Sequence, residues 1–286
     1  MKNIIQDAKQ MIYHSSIVKY VSTEKIEEAF GKITVFNTQE ELLMEHGSDE
    51  YKDEKLEGFN RSDGSYLGIY ATPHTVIHEV LHGISSEFDE NGHRTKNGLM
   101  GDDVKFGFAN QINEGATDYL ACKISGEKPR HYIQGHKLFS KLEPMLIKYT
   151  NDPDILMQIY LQNDVEFLKD FLNYFGKEKT FENLYLKFLY MKDEQLNEML
   201  ESVDKNLNKF IKRRNRKEKH DRLLNKYRNL FKRKKEIKFL PEGNRTTNNL
   251  HNEFVKKYQY EGYKYPYIDN TNNHQRENRE DREQEK

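Results

Sequence analysis

Cysteine is nearly absent from this chain. Cys122 is the only one in 286 residues, so no disulfide can form within the chain, and the usage fits a reducing compartment. No apolar run reaches the roughly 20 residues that a membrane-spanning helix needs. The opening MKNIIQDAKQMIYHSS lacks the unbroken apolar core of a signal peptide. We therefore expect a cytoplasmic protein with no transmembrane segment. No internal repeat and no known DNA- or RNA-binding motif is visible. The chain is only 35% hydrophobic against 33% charged, with a mean hydropathy of −0.99. That is too polar for the whole length to pack, so part of it is expected as solvated tail or exposed helix.

Net charge is also close to nil, at −1, but the balance hides a split. Residues 1–204 carry 22 Lys and Arg against 35 Asp and Glu, whereas residues 205–238 carry 16 against 3. An acidic body is followed by a basic arm in which Leu207, Phe210, Ile211, Leu223, Leu224, Tyr227, Leu230 and Phe231 recur at helical spacing. Such an arm suits a nucleic-acid backbone or an anionic surface. Packing on the acidic body of its own chain is the simpler reading. Residues 242–286 have almost no aliphatics and are expected to be disordered.

What the chain does contain is concentrated in TPHTVIHEVLHGI, residues 72–84. Thr72 is a suitable N-cap, and Pro73 fits the first helical position. Val76, Ile77, Val80, Leu81 and Ile84 make one apolar stripe, leaving His78, Glu79 and His82 outside it, facing a cleft. On a helix His78 and His82 stand one turn apart and can grip one metal ion, with Glu79 beside its open position. A second apolar-periodic segment begins at Asn113-Glu114-Gly115-Ala116-Thr117-Asp118. Glu114 can supply the third ligand, and Asp118, four residues on, can accept the outer N–H of a ligand histidine. His74 reads as a solvent-facing histidine of the first turn, and Cys122 as a small buried hydrophobe.

HEVLH followed by NEGATD resembles the gluzincin metallopeptidases, the thermolysin-like clan that pairs His-Glu-x-x-His with a downstream Asn-Glu-x-x-x-Asp. The resemblance covers residues 72–124. It implies one Zn²⁺ held by His78, His82 and Glu114, with Glu79 as general base and Asp118 behind the ligands. It also implies a sheet-edge strand, here Ser65–Ala71, on which an extended peptide substrate pairs, while the residues alone read equally as an ordinary sheet strand. Between His82 and Glu114 lie 31 residues, more than in the best-known members. The phage- and stress-associated ImmA/IrrE-like proteases are a second resemblance.

The expected fold class is α+β: a small sheet and active-site helix over 1–126, a mainly helical subdomain over 127–204, a basic helical arm over 205–240 and a polar tail over 241–286. Element by element, we expect a helix over 3–30, a strand at 33–36, and a short helix capped by Thr38 with Glu41 and ending at Gly47. A polar surface loop follows over 47–64, then a hairpin excursion over 87–103 marked by Asn91-Gly92 and Asn97-Gly98, and a strand or buried loop over 104–112. Further helices are expected near 115–125, 130–150, 153–163, 165–175 and 181–204, with Asp152 and Asp164 as N-caps. His131, Tyr132 and His136 are the candidates for steadying a tetrahedral oxyanion.

The expected function is thus a zinc metallopeptidase, an endopeptidase because no amine-capturing motif is visible. Two alternatives stand beside it. One is a regulatory protease cutting a DNA-bound repressor. The other is a non-catalytic zinc-containing binding protein that uses its basic arm.

Overall fold

The computed structural model describes residues 1–47, 55–100, 108–177 and 179–232. The expected tail over 241–286, the end of the arm from 233, part of the 47–64 loop and residues 101–107 lie outside the described residues. The chain divides into two compact units, Met1–Ile211 and Lys212–Lys286.

The first unit is α+β, as its residue patterns predict. Its helices are α1 (Lys2–His14), α2 (Thr23–Gly31), α3 (Gln39–His46), α4 (Pro73–Ser85), α5 (Phe108–Ser125), α6 (Ile133–Thr150), α7 (Ile155–Leu161), α8 (Val165–Phe175), α9 (Thr180–Lys187) and the first part of α10 (Asp193–Lys232). Strands β1 (Ile33–Val35), β2 (Gly58–Asn60) and β3 (Ser65–Leu67) form one sheet, and β4 (Ser86–Phe88) pairs with β5 (Arg94–Asn97) as a hairpin. Among the described residues no helix is long and apolar enough to cross a membrane.

Helix α4 is the centre of the unit. It packs against α1, α2, α5, α7, β2, β3 and β5, and all its residues except Pro73 and Gly83 are buried. Val76, Ile77, Val80, Leu81 and Ile84 are fully buried, each contributing roughly 1.5–3 kcal/mol. Thr72 and Thr75 cap the helix reciprocally, side chain to backbone N–H in both directions. The polar side of α4 does not wall an open cleft as expected. It is buried too, largely against α5.

Several local signals act as predicted. Thr38 and Glu41 form a full capping box on α3, which ends at the left-handed Gly47. The Asp164 side chain accepts the Phe167 N–H at the start of α8. Other elements differ. The expected helix over 3–30 breaks at Ser15, whose hydroxyl bonds Ile12 O and the Ile17 N–H and so competes with the helical ladder. Helix α7 starts after Asp154, whose N–H donates to the Asp152 side chain. Helix α5 begins at Phe108, where a strand or loop was expected. The stretch 181–204 is two helices, because Lys192 N–H turns to the Gln195 side chain and α10 starts afresh. Helix α10 then runs unbroken across residue 205, so the change in composition there is not a break in the helix.

The largest correction concerns the sheet. Its strand order is β1-β3-β2, with β1 parallel and β2 antiparallel to β3. The strand leading into the site helix is therefore central. Its flanks are paired with both neighbours, and Phe36 N–H to Leu67 O (2.9 Å) and Gly68 N–H to Glu57 O (2.9 Å) extend the pairing. It offers no free edge to a peptide. The expectation failed because β2, only Gly58-Phe59-Asn60, lies inside a stretch that reads as polar loop.

Candidate metal centre

The sheet fixes α4 in height and rotation. Ser65 Oγ and Asn60 Nδ2 both donate to the Glu79 carbonyl, at 3.2 and 3.3 Å. Helix α5 is set from its other side by α6. A Cβ built on Gly115 would lie 2.5 Å from the Gly135 Cα, closer than real side chains approach. The two backbones therefore meet directly at these glycines, beside Glu114 in the chain. Asn113, fully buried, accepts the Leu99 N–H at 2.8 Å. That bond ties the loop after β5 to the start of the NEGATD segment.

These constraints bring three donor atoms together. Nε2 of His78 lies 3.1 Å from Oε2 of Glu114, Nε2 of His82 lies 3.2 Å from the same oxygen, and the two nitrogens are 3.2 Å apart. Ligands at about 2.0–2.1 Å from one ion in tetrahedral arrangement are about 3.3 Å from each other. The triangle is thus close to the size that a small divalent ion requires. The Asn97 side-chain oxygen accepts from Nδ1 of His82 at 3.2 Å, which leaves the Nε2 lone pair of His82 facing the Glu114 oxygen. Two lone pairs at that distance are favourable only with a proton or a metal ion between them. The Glu114 side chain keeps 15% of its surface exposed, against 9% for His78 and 5% for His82, so the carboxylate is the least buried of the three.

The electrostatics agree. Burial pushes the Glu114 carboxyl up, but the charges and hydrogen bonds of His82 and His78 outweigh it and hold the group well below the usual carboxylate range. His82 is the converse: burial lowers it, yet Glu114 leaves it raised. Glu79, adjacent to His78, is raised, chiefly by burial.

The remaining predicted residues separate. Among the described residues Asp118 makes no hydrogen bond with His78 or His82. Its Oδ1 lies 3.2 Å from Nε2 of His74, and His82 is oriented by Asn97 instead. His74 is not solvent-facing; it is 3% exposed, because Glu127 and α5 cover the start of α4. Of the three oxyanion candidates, Tyr132 alone touches the triad, its ring stacked on His78 at 5.9 Å and 13°. His131 turns to Glu57, 3.8 Å away, which raises its pKa. His136 packs edge-on against Tyr119 at 5.0 Å, and burial lowers it.

Two buried groups among the described residues could hold a metal ion, His78 with His82 and Glu114, and His74 with Asp118 and Cys122. Asn97 was missed at the sequence level because its role depends on a fold-back from β5. Its one signal was the Asn-Gly turn that marked the hairpin. No family model, curated protein or solved structure matches this chain.

Proposed function

We propose that the chain is a zinc-dependent metallopeptidase of the gluzincin kind, cutting within peptide chains. The observation that carries this reading is the three-atom triangle of His78, His82 and Glu114, with a buried carboxylate, Glu79, on the same helix. The donor set fits zinc: two imidazoles and one carboxylate. Zinc held there would supply Lewis acidity toward water and toward a scissile carbonyl.

The residues divide the remaining work. Glu79 accepts a proton from the attacking water and returns it to the leaving amine. In the metal-free chain burial raises its pKa. Asn97 keeps the His82 proton on Nδ1, so the other ring nitrogen stays available as a ligand. Tyr132, half-open to solvent and stacked on His78, is the residue best placed to steady the developing oxyanion. With β3 paired on both sides, this reading does not use it as the strand on which a peptide pairs.

Glu79→Gln tests the assignment. The variant is expected to keep its zinc and to lose hydrolysis by about 10²–10⁴-fold on a peptide library. Unchanged hydrolysis would remove Glu79 from the mechanism. Zinc retained by a wild-type chain that cleaves no peptide would turn the reading toward a binding protein.

A further inference from the structure

We propose that His74, Asp118 and Cys122 form a second metal site, for an ion of the zinc class, one helical turn from the first centre. Nε2 of His74 lies 3.2 Å from Oδ1 of Asp118 and 3.5 Å from Sγ of Cys122. Zinc-to-nitrogen and zinc-to-oxygen bonds of about 2.0–2.2 Å, with a zinc-to-sulfur bond near 2.3 Å, place tetrahedral N and O ligands about 3.3 Å apart and N and S about 3.5–3.6 Å apart. Both observed separations match.

Asp118 provides the independent reason to place a cation here. It is 1% exposed, and neither carboxylate oxygen has a hydrogen-bond partner. Its approach to His74 is close enough for an ion pair but is not aligned as a hydrogen bond. A buried carboxylate without donors is costly, and native proteins rarely leave one so. A metal ion between the three side chains satisfies both the carboxylate and the ring nitrogen. The sulfur argues for the ion class, since thiolate with imidazole selects zinc-like ions over magnesium or calcium. Burial first, then the Asp118 charge, push the Cys122 thiol up to about 12, so ion binding there displaces the thiol proton. The site joins the first turn of α4 to α5 without involving Glu79.

Cobalt substitution separates the two centres, because only this one contains sulfur. The full-length chain, reduced and stripped of metal, would be titrated with Co²⁺ while thiolate-to-cobalt charge-transfer absorption is followed. We expect two ions per chain with that absorption present. Cys122→Ser and Asp118→Asn should each lose the absorption and bind one ion, with circular dichroism unchanged. The His78→Ala, His82→Ala double variant should keep the absorption with one ion. One ion with the absorption in the wild type supports this site and removes the first centre instead. Saturation without the absorption, or a Cys122→Ser chain that binds and absorbs as wild type, overturns the proposal and leaves His74 and Asp118 as an ion pair.

Discussion

His78, His82 and Glu114 differ from His74, Asp118 and Cys122 by one turn along each of the same two helices. Helix α4 presents histidines at 74, 78 and 82, and α5 presents Glu114, Asp118 and Cys122 at the same spacing of four. Moving back along α4 pairs with moving forward along α5, so the two ladders run in opposite directions. One crossing thus builds two donor clusters, yet their electrostatics differ. The first has a carboxylate shared by two imidazoles and partly open to solvent. The second is more deeply buried, and its carboxylate lacks any hydrogen-bond donor. Helix periodicity sets which residues meet. Supporting groups such as Asn97 and access to water decide what a cluster can do.

The comparison breaks most completely with Glu114→Ala. Removing the one oxygen that both imidazoles face should abolish hydrolysis and lower the first centre's zinc affinity by more than the 10–100-fold that an outer partner is worth. The thiolate-to-cobalt absorption of the other cluster should survive. A peptide-library assay, competition with a fluorescent chelator and the cobalt spectrum measure the three in turn. Asn97→Ala comes next: loss of the His82 orienting bond is expected to weaken zinc by about 10–100-fold at the first centre only. Equal weakening at both centres would mean that the hairpin supports the whole crossing and not one ring.

Gly115→Ala acts on both ladders at once. A methyl group facing the Gly135 backbone forces α6 away, at a cost of about 1–3 kcal/mol, measurable as a lowered urea midpoint with disturbed metal binding at both clusters. A pH series supplies the mildest test. In the metal-free chain the raised His82 contributes stability that is fully present below its ordinary 6.5 and lost as pH rises through its folded value. The lowered Glu114 contributes stability that is present above its ordinary 4.5 and lost as pH falls through its folded value. Stripped protein should therefore be favoured most between about pH 4.5 and 6.5. Zinc-loaded protein should instead lose its ion over the acid side, where His82 takes up a proton. Melting temperatures with and without chelator would show the opposite trends, and Glu114→Ala should flatten the first.

Much of this was legible in residue patterns, because the signals were local. Thr72 and Pro73 start α4, its apolar stripe buries it, and HEVLH with NEGATD gives the donor atoms of the first triangle. The second cluster left a trace as well, in His74 and Cys122 each four residues from a singled-out position. Its first-turn histidine suggested exposure only because the covering residues, Glu127 among them, are remote in sequence. What could not be read were contacts made across the fold. Asn97 reaches His82 by the fold-back of β5, Gly115 meets Gly135 through helix crossing, and β2 is too short to show alternation. Those three contacts determine ring orientation, helix spacing and the central place of β3.

The bond from Leu99 to Asn113 has a further implication for the long interval between His82 and Glu114. The β4–β5 hairpin leaves the helix and returns, and Asn113, next to Glu114, fastens the returning strand's exit. Extra length in a loop closed this way costs little, about 0.6 kcal/mol for each doubling. A search keyed to a fixed distance between HExxH and the carboxylate would pass over chains built like this one. A search keyed to an Asn-Glu pair, with a backbone amide available to the Asn, would retain them.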